Sequence, residues 1–253
     1  MNKKPFISLV ASACRPHLWE KLYESLTLDK VHVSCEFVFV GPVIPEFKLP
    51  LNFKFIKSNV KPAQCYEIAA RHANGEYILF IVDDILFSKR FLDIICKKIY
   101  EINDDKAIIS PIYKKNMCKR DPRTLRIDKH DSKSPIVSLI PLFNRKMWEL
   151  IGGIDKRFIA SMWSYDVQLR FYEAGGKLYF IKECYINEIR VPYNKNKLSE
   201  QSGIDRKTLK GFWRNKDKTY SKKRLSKVKF FRDKDILEVT QGNVGINSFW
   251  EGY

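Results

Sequence analysis

Two adjacent carboxylates at the end of an apolar segment are the residues whose types and spacing most directly suggest chemistry. Asp83 and Asp84 follow residues 77–82, an uninterrupted apolar run of strand length. Neighbouring carboxylates repel each other unless a cation lies with them, and their hard oxygens suit Mg²⁺ or Mn²⁺, which bridge a protein carboxylate and a diphosphate. The pair therefore predicts a divalent-metal site for a diphosphate. The alternative is a loop that starts here and leads to a helix capped by Ser88.

A further carboxylate, Asp166, begins a helix that the sequence predicts over residues 166–174. A carboxylate held within hydrogen-bond reach of a hydroxyl can take its proton as a general base. Asp166 could equally stabilise the helix N-terminus through the helix dipole. Arg170, four residues later, could pair with it rather than contact a substrate. Both interpretations stay open.

The elements that must position these residues alternate between strand and helix. The predicted strands cover residues 6–11, 36–40, 52–57, 77–82 and 178–181. Helices are predicted to begin at Pro16, at Pro62 and at Ser88. This rhythm predicts a largely parallel α/β sheet with helices on both faces. Because ligands of such sheets bind at the carboxyl ends of the strands, Asp83 and Asp84 fall where a ligand site is expected.

Net charge singles out the C-terminal part of the chain. The 253 residues include 46 Lys and Arg against 29 Asp and Glu, a formal net charge of +17, which favours anionic partners. Residues 206–234 alone hold 13 Lys or Arg and 2 Asp, with aromatic residues between them. Three interpretations stay open: a solvated helical face packed through its apolar residues, a surface for an anionic membrane or lipid-linked acceptor, and, least favoured, a nucleic-acid surface.

The six cysteines are scattered without a Cys-x-x-Cys pair, so the sequence predicts neither a zinc site nor a disulfide scaffold. The apolar N-terminal stretch, residues 6–13, is far shorter than the ~20 residues of a membrane span and lacks the pattern of a signal peptide. A reducing, cytoplasmic location follows as an expectation. Peripheral contact with the inner face of the membrane through residues 206–234 is a further one.

Four sequence blocks, taken together and in order, resemble the family 2 glycosyltransferases. Residues 7–16 (ISLVASACRP) resemble the family's SVIIPTYNRP, and residues 75–86 (GEYILFIVDDIL) resemble GEYILFLDxDD. Residues 152–158 (GGIDKRF) resemble GGFDERF, and residues 166–177 (DVQLRFYEAGGK) resemble DLxLRxxxAGYK. The resemblance covers roughly residues 5–185.

The resemblance implies a GT-A fold, with a Rossmann-like, mostly parallel sheet flanked by helices. It also implies an inverting transfer of a sugar from a nucleotide-sugar donor to an acceptor hydroxyl, assisted by Mn²⁺ or Mg²⁺. The GT-A domain would span residues 1–190, as a nucleotide-sugar-binding half (1–106) and an acceptor-side half (107–190), followed by a basic aromatic extension (191–253). The acceptor would be a glycan, a lipid-linked molecule or a protein, as in cell-surface polysaccharide biosynthesis.

The resemblance and the places of residues at the strand ends give several residues expected roles. Asp166 is the expected catalytic base. Asp84, with Asp83, is the expected metal ligand. The expected donor-binding residues are Ser12, Arg15, Lys61, Gln64, Asp83 and Asp84. The expected acceptor-binding residues are Asp155, Trp163 and Arg170.

The chain departs from the family pattern at three places. Val82 stands where the strand-end motif usually begins with Asp. Residues 41–42, Gly-Pro, stand where an Asp often reads the nucleotide base. Residues 163–164, Trp-Ser, replace the acidic pair that precedes the helix carboxylate.

These departures keep a second interpretation open, that of a non-catalytic protein that binds a sugar nucleotide or another polyanion on the same scaffold. The positions of two carboxylates distinguish the enzyme from the binding protein. If Asp84 and Asp166 face one cleft, the enzyme is favoured. If Asp166 is locked to Arg170, the binding protein is favoured.

Overall fold

The computed structural model describes residues 4–27, 33–115, 118–120, 123–124, 136–189, 195–213 and 228–231. Its strands are β1 (Ile7–Ser12), β2 (Cys35–Gly41), β3 (Phe53–Lys57), β4 (Tyr77–Val82), β5 (Ile85–Phe87), β6 (Ala107–Lys115), β7 (Cys118–Arg120), β8 (Arg123–Thr124), β9 (Ile136–Val137), β10 (Leu142–Asn144) and β11 (Lys177–Glu188). Its helices are α1 (Trp19–Thr27), which follows a 3₁₀ turn at Pro16–Leu18, α2 (Pro62–His72), α3 (Phe91–Ile102), α4 (Arg145–Ile151), α5 (Trp163–Glu173) and α6 (Lys195–Trp213).

Nine of the described strands form one sheet in the order β3-β2-β1-β4-β10-β6-β11-β5, with β7 beside β6. Strands β1 to β4 run parallel to one another. β10 is antiparallel to both β4 and β6, β6 and β11 are parallel, and β5 is antiparallel to β11. The predicted α/β class with a mostly parallel sheet is confirmed.

Burial on both faces explains why the central strands are continuous hydrophobic runs. Leu9 of β1 and Leu79 of β4 are buried in a cluster with α1 and α3. Val10 and Phe80, one position along, are buried in a second cluster with α2, α4 and α5. Successive residues of a strand point to opposite faces, so a strand covered on both sides needs apolar residues at every position.

The order of the strands places a topological switch point between β1 and β4. β2 and β3 follow β1 on one side of it, and the connection through α2 then returns to β4 on the other side. Ligands of open α/β sheets bind at such a point, outside the carboxyl ends of the strands. Arg15 lies just beyond the end of β1 and Asp83 just beyond the end of β4.

Part of the basic extension packs on the sheet domain. Leu209 and Trp213 of α6, together with Phe231, are buried in the cluster that contains α2, α4 and α5. For these residues the contacts support a helix packed through its apolar side chains. Residues 190–194, 214–227 and 232–234 lie outside the described residues, so the domain boundary near residue 190 stays a prediction. None of the described helices combines the length and the apolar composition that crossing a membrane requires.

The predicted capping of α3 by Ser88 is wrong. α3 begins at Phe91, after Arg90 in a left-handed conformation with φ 54°. Ser88 Oγ instead accepts a hydrogen bond from the backbone N–H of Tyr185 at 3.0 Å. The reason is β5, a short strand that pairs with β11 and that the sequence pattern does not indicate.

Gly41 ends β2 where this strand passes closest to the loop after β1. A methyl group added at this buried position would overlap the carbonyl oxygen of Ala13. We expect Gly41→Ala to lower the free energy of unfolding by about 1–3 kcal/mol, because the backbone at the two strand ends must move apart. Urea unfolding of the purified variant measures this loss.

Gly203→Ala is the matched control for that variant. A methyl group added at Gly203, in α6, meets no atom within 4 Å, and replacing a helical glycine by alanine stabilises by roughly 0.5–1 kcal/mol. Equal losses of stability in the two variants would contradict the close approach of β1 and β2.

Candidate active site

Asp83 is fully buried and ties the end of β4 to the loop after β1. Its Oδ2 accepts hydrogen bonds from the backbone N–H groups of Cys14 and Arg15, both at 2.7 Å, and from Nε1 of Trp19 at 3.3 Å. Its Oδ1 accepts from Nε of Arg15 at 2.8 Å and from Nη2 of the same side chain. A buried carboxylate needs such partners, so these contacts fix the two strand ends against each other.

The guanidinium of Arg15 spans both strand-end carboxylates. While its Nε and Nη2 bind Asp83, its Nη1 donates to Oδ2 of Asp84 at 2.9 Å. Burial acts to lower the pKa of Arg15, but the charges of Asp83 and Asp84 outweigh burial and raise this pKa above its ordinary value. The structure therefore brings three of the predicted donor residues together around a permanent positive charge.

The other predicted donor residues divide between two places. Ser12 is the last residue of β1 and lies at the strand ends. Lys61 precedes α2; its Nζ donates to the carbonyl oxygen of Lys156 and lies 5.7 Å from the ring centroid of Phe231. Gln64 follows in the first turn of α2. Lys61 is thus engaged by the loop after α4 and by the C-terminal segment, while burial lowers its pKa.

Glu188 is a carboxylate at the strand ends that sequence reasoning missed. The backbone N–H of Ile189 donates to the carbonyl oxygen of Asp84 at 2.8 Å, which brings the end of β11 beside Asp84. Glu188 forms an ion pair with Lys115. Burial and the charge of Asp84 raise the pKa of Glu188 to about 7. Burial also raises the pKa of Asp84 to about 6, although the charge of Arg15 opposes it.

The carboxylates at the strand ends do not fit a divalent cation as they are arranged. An ionised carboxylate offers about four lone-pair sites, and five N–H groups already surround Asp83. Asp84 shares its Oδ2 with Arg15. Within the residues that the structure describes, no group of three His, Cys, Asp or Glu side chains could hold a metal ion. The predicted metal ligands, Asp83 and Asp84, are held by Arg15 instead.

Asp166 and Arg170 form a buried ion pair. Both side chains are fully buried, and Nε of Arg170 donates to Oδ2 of Asp166 at 3.0 Å. Nε1 of Trp213 donates to Oδ1 of Asp166 at 2.7 Å. Arg170 also donates to the carbonyl oxygens of Ile151 and Gly153, at 2.7 and 2.6 Å. This geometry matches the alternative in which the two residues pair with each other. It does not fit Asp166 as the catalytic base or Arg170 as an acceptor ligand.

Asp155 is the carboxylate of a tight turn. It is fully buried and accepts from the backbone N–H and from Nε of Arg157, at 3.0 and 2.9 Å, and from the backbone N–H of Lys229 at 3.2 Å. The preceding Gly152 and Gly153 have φ of 77° and 79°, a conformation that other residues rarely adopt. The carboxylate of Asp155 is bound by the turn and by the C-terminal segment, so the expected role of binding the acceptor substrate does not fit this geometry either.

Trp163 lies in the wall of a pocket beside the strand ends. The pocket has a volume of about 190 Å³ and includes Val82, the last residue of β4. The ring centroid of Trp163 lies 4.6 Å from that of Tyr66 and 5.2 Å from that of Phe80. Ser161 adds a hydroxyl group to the lining. An aromatic wall with a few polar groups is typical of a pocket for a small ligand.

Asp205 of α6 holds one wall of this pocket. Its buried carboxylate accepts from the backbone N–H groups of Ile159 and Ala160, both at 2.8 Å, and of Ser161 at 2.7 Å. Both Ala160 and Ser161 line the pocket. Sequence reasoning missed Asp205 because it lies in the basic extension, 44–46 residues from the groups that it binds.

Solved structures share this architecture. The structure of S. aureus TarS 1–349 in complex with UDP-GlcNAc aligns with a TM-score of 0.59 at 14% identity, over 75% of this chain and 60% of that one. The structure of GalNAc-T7 with UDP, GalNAc and Mn²⁺ aligns with a TM-score of 0.60 at 12% identity, over 85% of this chain and 49% of that one. The fold is that of the GT-A glycosyltransferases.

The GT-A fold expected from the sequence resemblance is thereby confirmed, whereas the family 2 assignment and inversion stay predictions. This chain spans 49–60% of the length of those two chains. No family model and no curated protein matches the sequence. In this GT-A sheet the cluster of Arg15, Asp83 and Asp84 lies at the switch point between β1 and β4, where open α/β sheets bind their ligands.

The ion pair of Asp166 generates a stability prediction. We expect Asp166→Asn to lower the free energy of unfolding by about 3–5 kcal/mol, because it removes the charged carboxylate that Nε of the buried Arg170 contacts. Trp213→Phe removes one hydrogen bond to the same carboxylate and should cost less, about 1–2 kcal/mol. Guanidinium unfolding curves measure both. Wild-type stability in Asp166→Asn would contradict the structural role and restore Asp166 as a candidate base.

The raised pKa values of Asp84 and Glu188 generate a prediction about pH. The folded protein keeps protons on these carboxylates that the unfolded chain has already lost, so their contribution to the free energy of unfolding decreases as pH rises from about 4 to about 7. In Glu188→Gln, the free energy of unfolding should fall less over this pH range, by a difference on the order of 1–2 kcal/mol. Urea unfolding at a series of pH values measures it.

Glu183→Gln, at an exposed position of the same strand, is the control for the pH series. It should leave the decrease between about pH 4 and pH 7 in place, because the pKa of Glu183 is lowered by Lys98 and not raised. Identical pH profiles for wild type and Glu188→Gln would contradict the assignment to Glu188.

Proposed function

We propose that this protein is a glycosyltransferase that moves a sugar from a nucleotide-sugar donor to an acceptor hydroxyl with inversion. The observation that carries the proposal is the cluster of Arg15, Asp83 and Asp84 at the switch point of a GT-A sheet, beside an aromatic pocket. TarS structures of the same fold contain UDP or UDP-GlcNAc, which supports a donor of this chemical class.

The two parts of the site suit the two parts of a nucleotide sugar. A diphosphate at the carboxyl ends of β1 and β4 would meet the guanidinium of Arg15, a cation able to stabilise the charge of the leaving nucleoside diphosphate. The pocket that begins at Val82 lies where the sugar would extend, with Trp163 as an apolar wall and Ser161 as a polar group. Holding donor and acceptor in one geometry contributes much of the acceleration in such reactions.

Asp166 does not supply the catalytic base that the proposed transfer requires. An inverting transfer needs a group that takes the proton of the acceptor hydroxyl, and Asp166 is committed to Arg170 and Trp213. The part of the pocket lining that the structure describes contains no carboxylate. This observation favours the second candidate function, a protein that binds a nucleotide sugar without transferring it.

The predicted partners enter the proposal to different extents. The nucleotide-sugar donor is central to it. The glycan, lipid-linked or protein acceptor and the membrane contact through residues 206–234 stay predictions. The predicted Mn²⁺ or Mg²⁺ is left out, because Asp83 and Asp84 are already held by Arg15.

A panel of UDP-, GDP-, dTDP- and CMP-sugars tests the donor site by thermal shift. One nucleotide class should stabilise the wild type, by about 2.7 kcal/mol at a hundred times its dissociation constant. After glycan, lipid-linked and protein acceptors are added, chromatography should detect release of the nucleotide. Asp84→Ala should weaken binding, because Arg15 loses one of its two anchors. Asp93→Ala, at a carboxylate paired with the exposed Arg90, is the matched control and should bind as the wild type does.

The outcomes separate the two candidate functions. A thermal shift, followed by release of nucleotide when an acceptor is added, supports the transferase. NMR of the glycosylated acceptor then tests inversion, since an α-linked donor must give a β-glycosidic bond. A thermal shift without release, in the presence of glycan, lipid-linked and protein acceptors, supports the binding protein. No shift with any of the four donor classes would overturn the proposed function.

A further inference from the structure

We propose that Arg15 supplies the positive charge that a divalent cation would otherwise supply at the ends of β1 and β4, so that a nucleoside diphosphate binds to this protein without a metal ion. The inference rests on the proposed function, since it concerns the donor site of the same reaction. It replaces the metal expected from the sequence resemblance with a residue of the chain itself.

The guanidinium is built into the fold and not merely placed on its surface. Nε donates to Asp83 at 2.8 Å, as does Nη2, and Nη1 donates to Asp84 at 2.9 Å. Asp83 is itself fixed by the backbone of Cys14 and by the indole of Trp19. The Arg15 side chain is 21% exposed, so these contacts hold the guanidinium while part of the side chain is open to solvent.

A divalent cation would have to break this arrangement in order to bind. Asp83 would give up N–H partners that a buried carboxylate needs. Asp84 would have to share its carboxylate between the cation and Arg15, to which its Oδ2 is already bound. Glu188, the third carboxylate at the strand ends, already has a cation in Lys115. Each of the three carboxylates therefore already contacts a cationic side chain of the protein.

The remaining donors of the guanidinium suit a phosphate. A guanidinium has five N–H donors in a planar fork. Three of these donors bind Asp83 and Asp84, and among the described contacts one N–H on Nη1 and one on Nη2 remain for a ligand. N–H donors of a guanidinium form charge-assisted hydrogen bonds with phosphate oxygens. The charge of arginine also persists at every physiological pH.

Isothermal titration calorimetry with UDP, GDP, dTDP and CDP tests the inference, with each titration run once in EDTA and once in excess MnCl₂. For the diphosphate that binds, the wild-type Kd should agree within about threefold between the two conditions, a difference of well under the 1.4 kcal/mol of a tenfold change. This comparison needs no variant, so it stands whatever the folding of the variants below.

Variants at position 15 test the source of the charge. Arg15→Met, neutral and of similar length, should raise the Kd in EDTA by about tenfold or more, because the charge-assisted bonds to phosphate are lost. Arg15→Lys keeps the charge but not the planar fork of N–H donors, so its Kd in EDTA should lie between those of the wild type and Arg15→Met. Arg90→Met, which removes an arginine 72% exposed and paired with Asp93, is the matched control and should bind as the wild type does.

Three results would count against the inference. Wild-type binding that requires Mn²⁺ would overturn it and leave the proposed function standing. Wild-type affinity of Arg15→Met in EDTA would overturn it as well. Absence of binding by all four nucleotides in both conditions would overturn the proposed function, and the inference with it.

Discussion

The buried carboxylate of Asp83 is the constraint on which the rest of the site depends. It lies at the end of an apolar strand, away from water, and a charge in that position is stable only when N–H groups surround it. The loop after β1 provides these groups through Cys14, Arg15 and Trp19. Because the donors come from one side of the switch point and the acceptor from the other, satisfying Asp83 also sets the position of the guanidinium.

The same physical solution recurs at the other side of the pocket. Asp205 accepts from three successive backbone N–H groups of the loop over residues 159–161. Glu67 of α2 accepts from the backbone N–H of Ile154 at 2.9 Å, and Asp155 closes the turn that follows. A loop has no ladder or helix in which to place its backbone donors, and here acidic side chains take that place. Several carboxylates that look like catalytic candidates in the sequence are therefore needed to order the loops around the pocket.

The fold could be predicted from the sequence to a large extent because the relevant signals are local. The apolar runs of β1 and β4 report burial on both faces of a sheet, and the blocks shared with glycosyltransferases are short stretches of sequence. The roles of individual carboxylates depend instead on distant partners. Asp166 is fixed in part by Trp213, 47 residues later in the chain, and no local pattern distinguishes a carboxylate held in this way from one that faces a substrate.

Glu188 was missed for a different physical reason. The predicted last strand ends at residue 181, whereas β11 continues to Glu188 with Cys184 and Ile186 buried along it. Its pairing with β6 shifts register between Ile181 and Tyr185. Such an irregularity breaks the alternation of buried and exposed residues on which strand prediction relies.

The attachment of the pocket wall to α6 has a consequence for how the protein is made. Strands β1 to β4 end at residue 82, far ahead of α6 in the chain. The loop over residues 159–161 must wait for Asp205, and Asp166 for Trp213, before each gains the partner that α6 provides. The strand-end cluster of Arg15, Asp83 and Asp84 therefore draws its partners from the first part of the chain, whereas the pocket wall needs a carboxylate that is synthesised 44–46 residues after it.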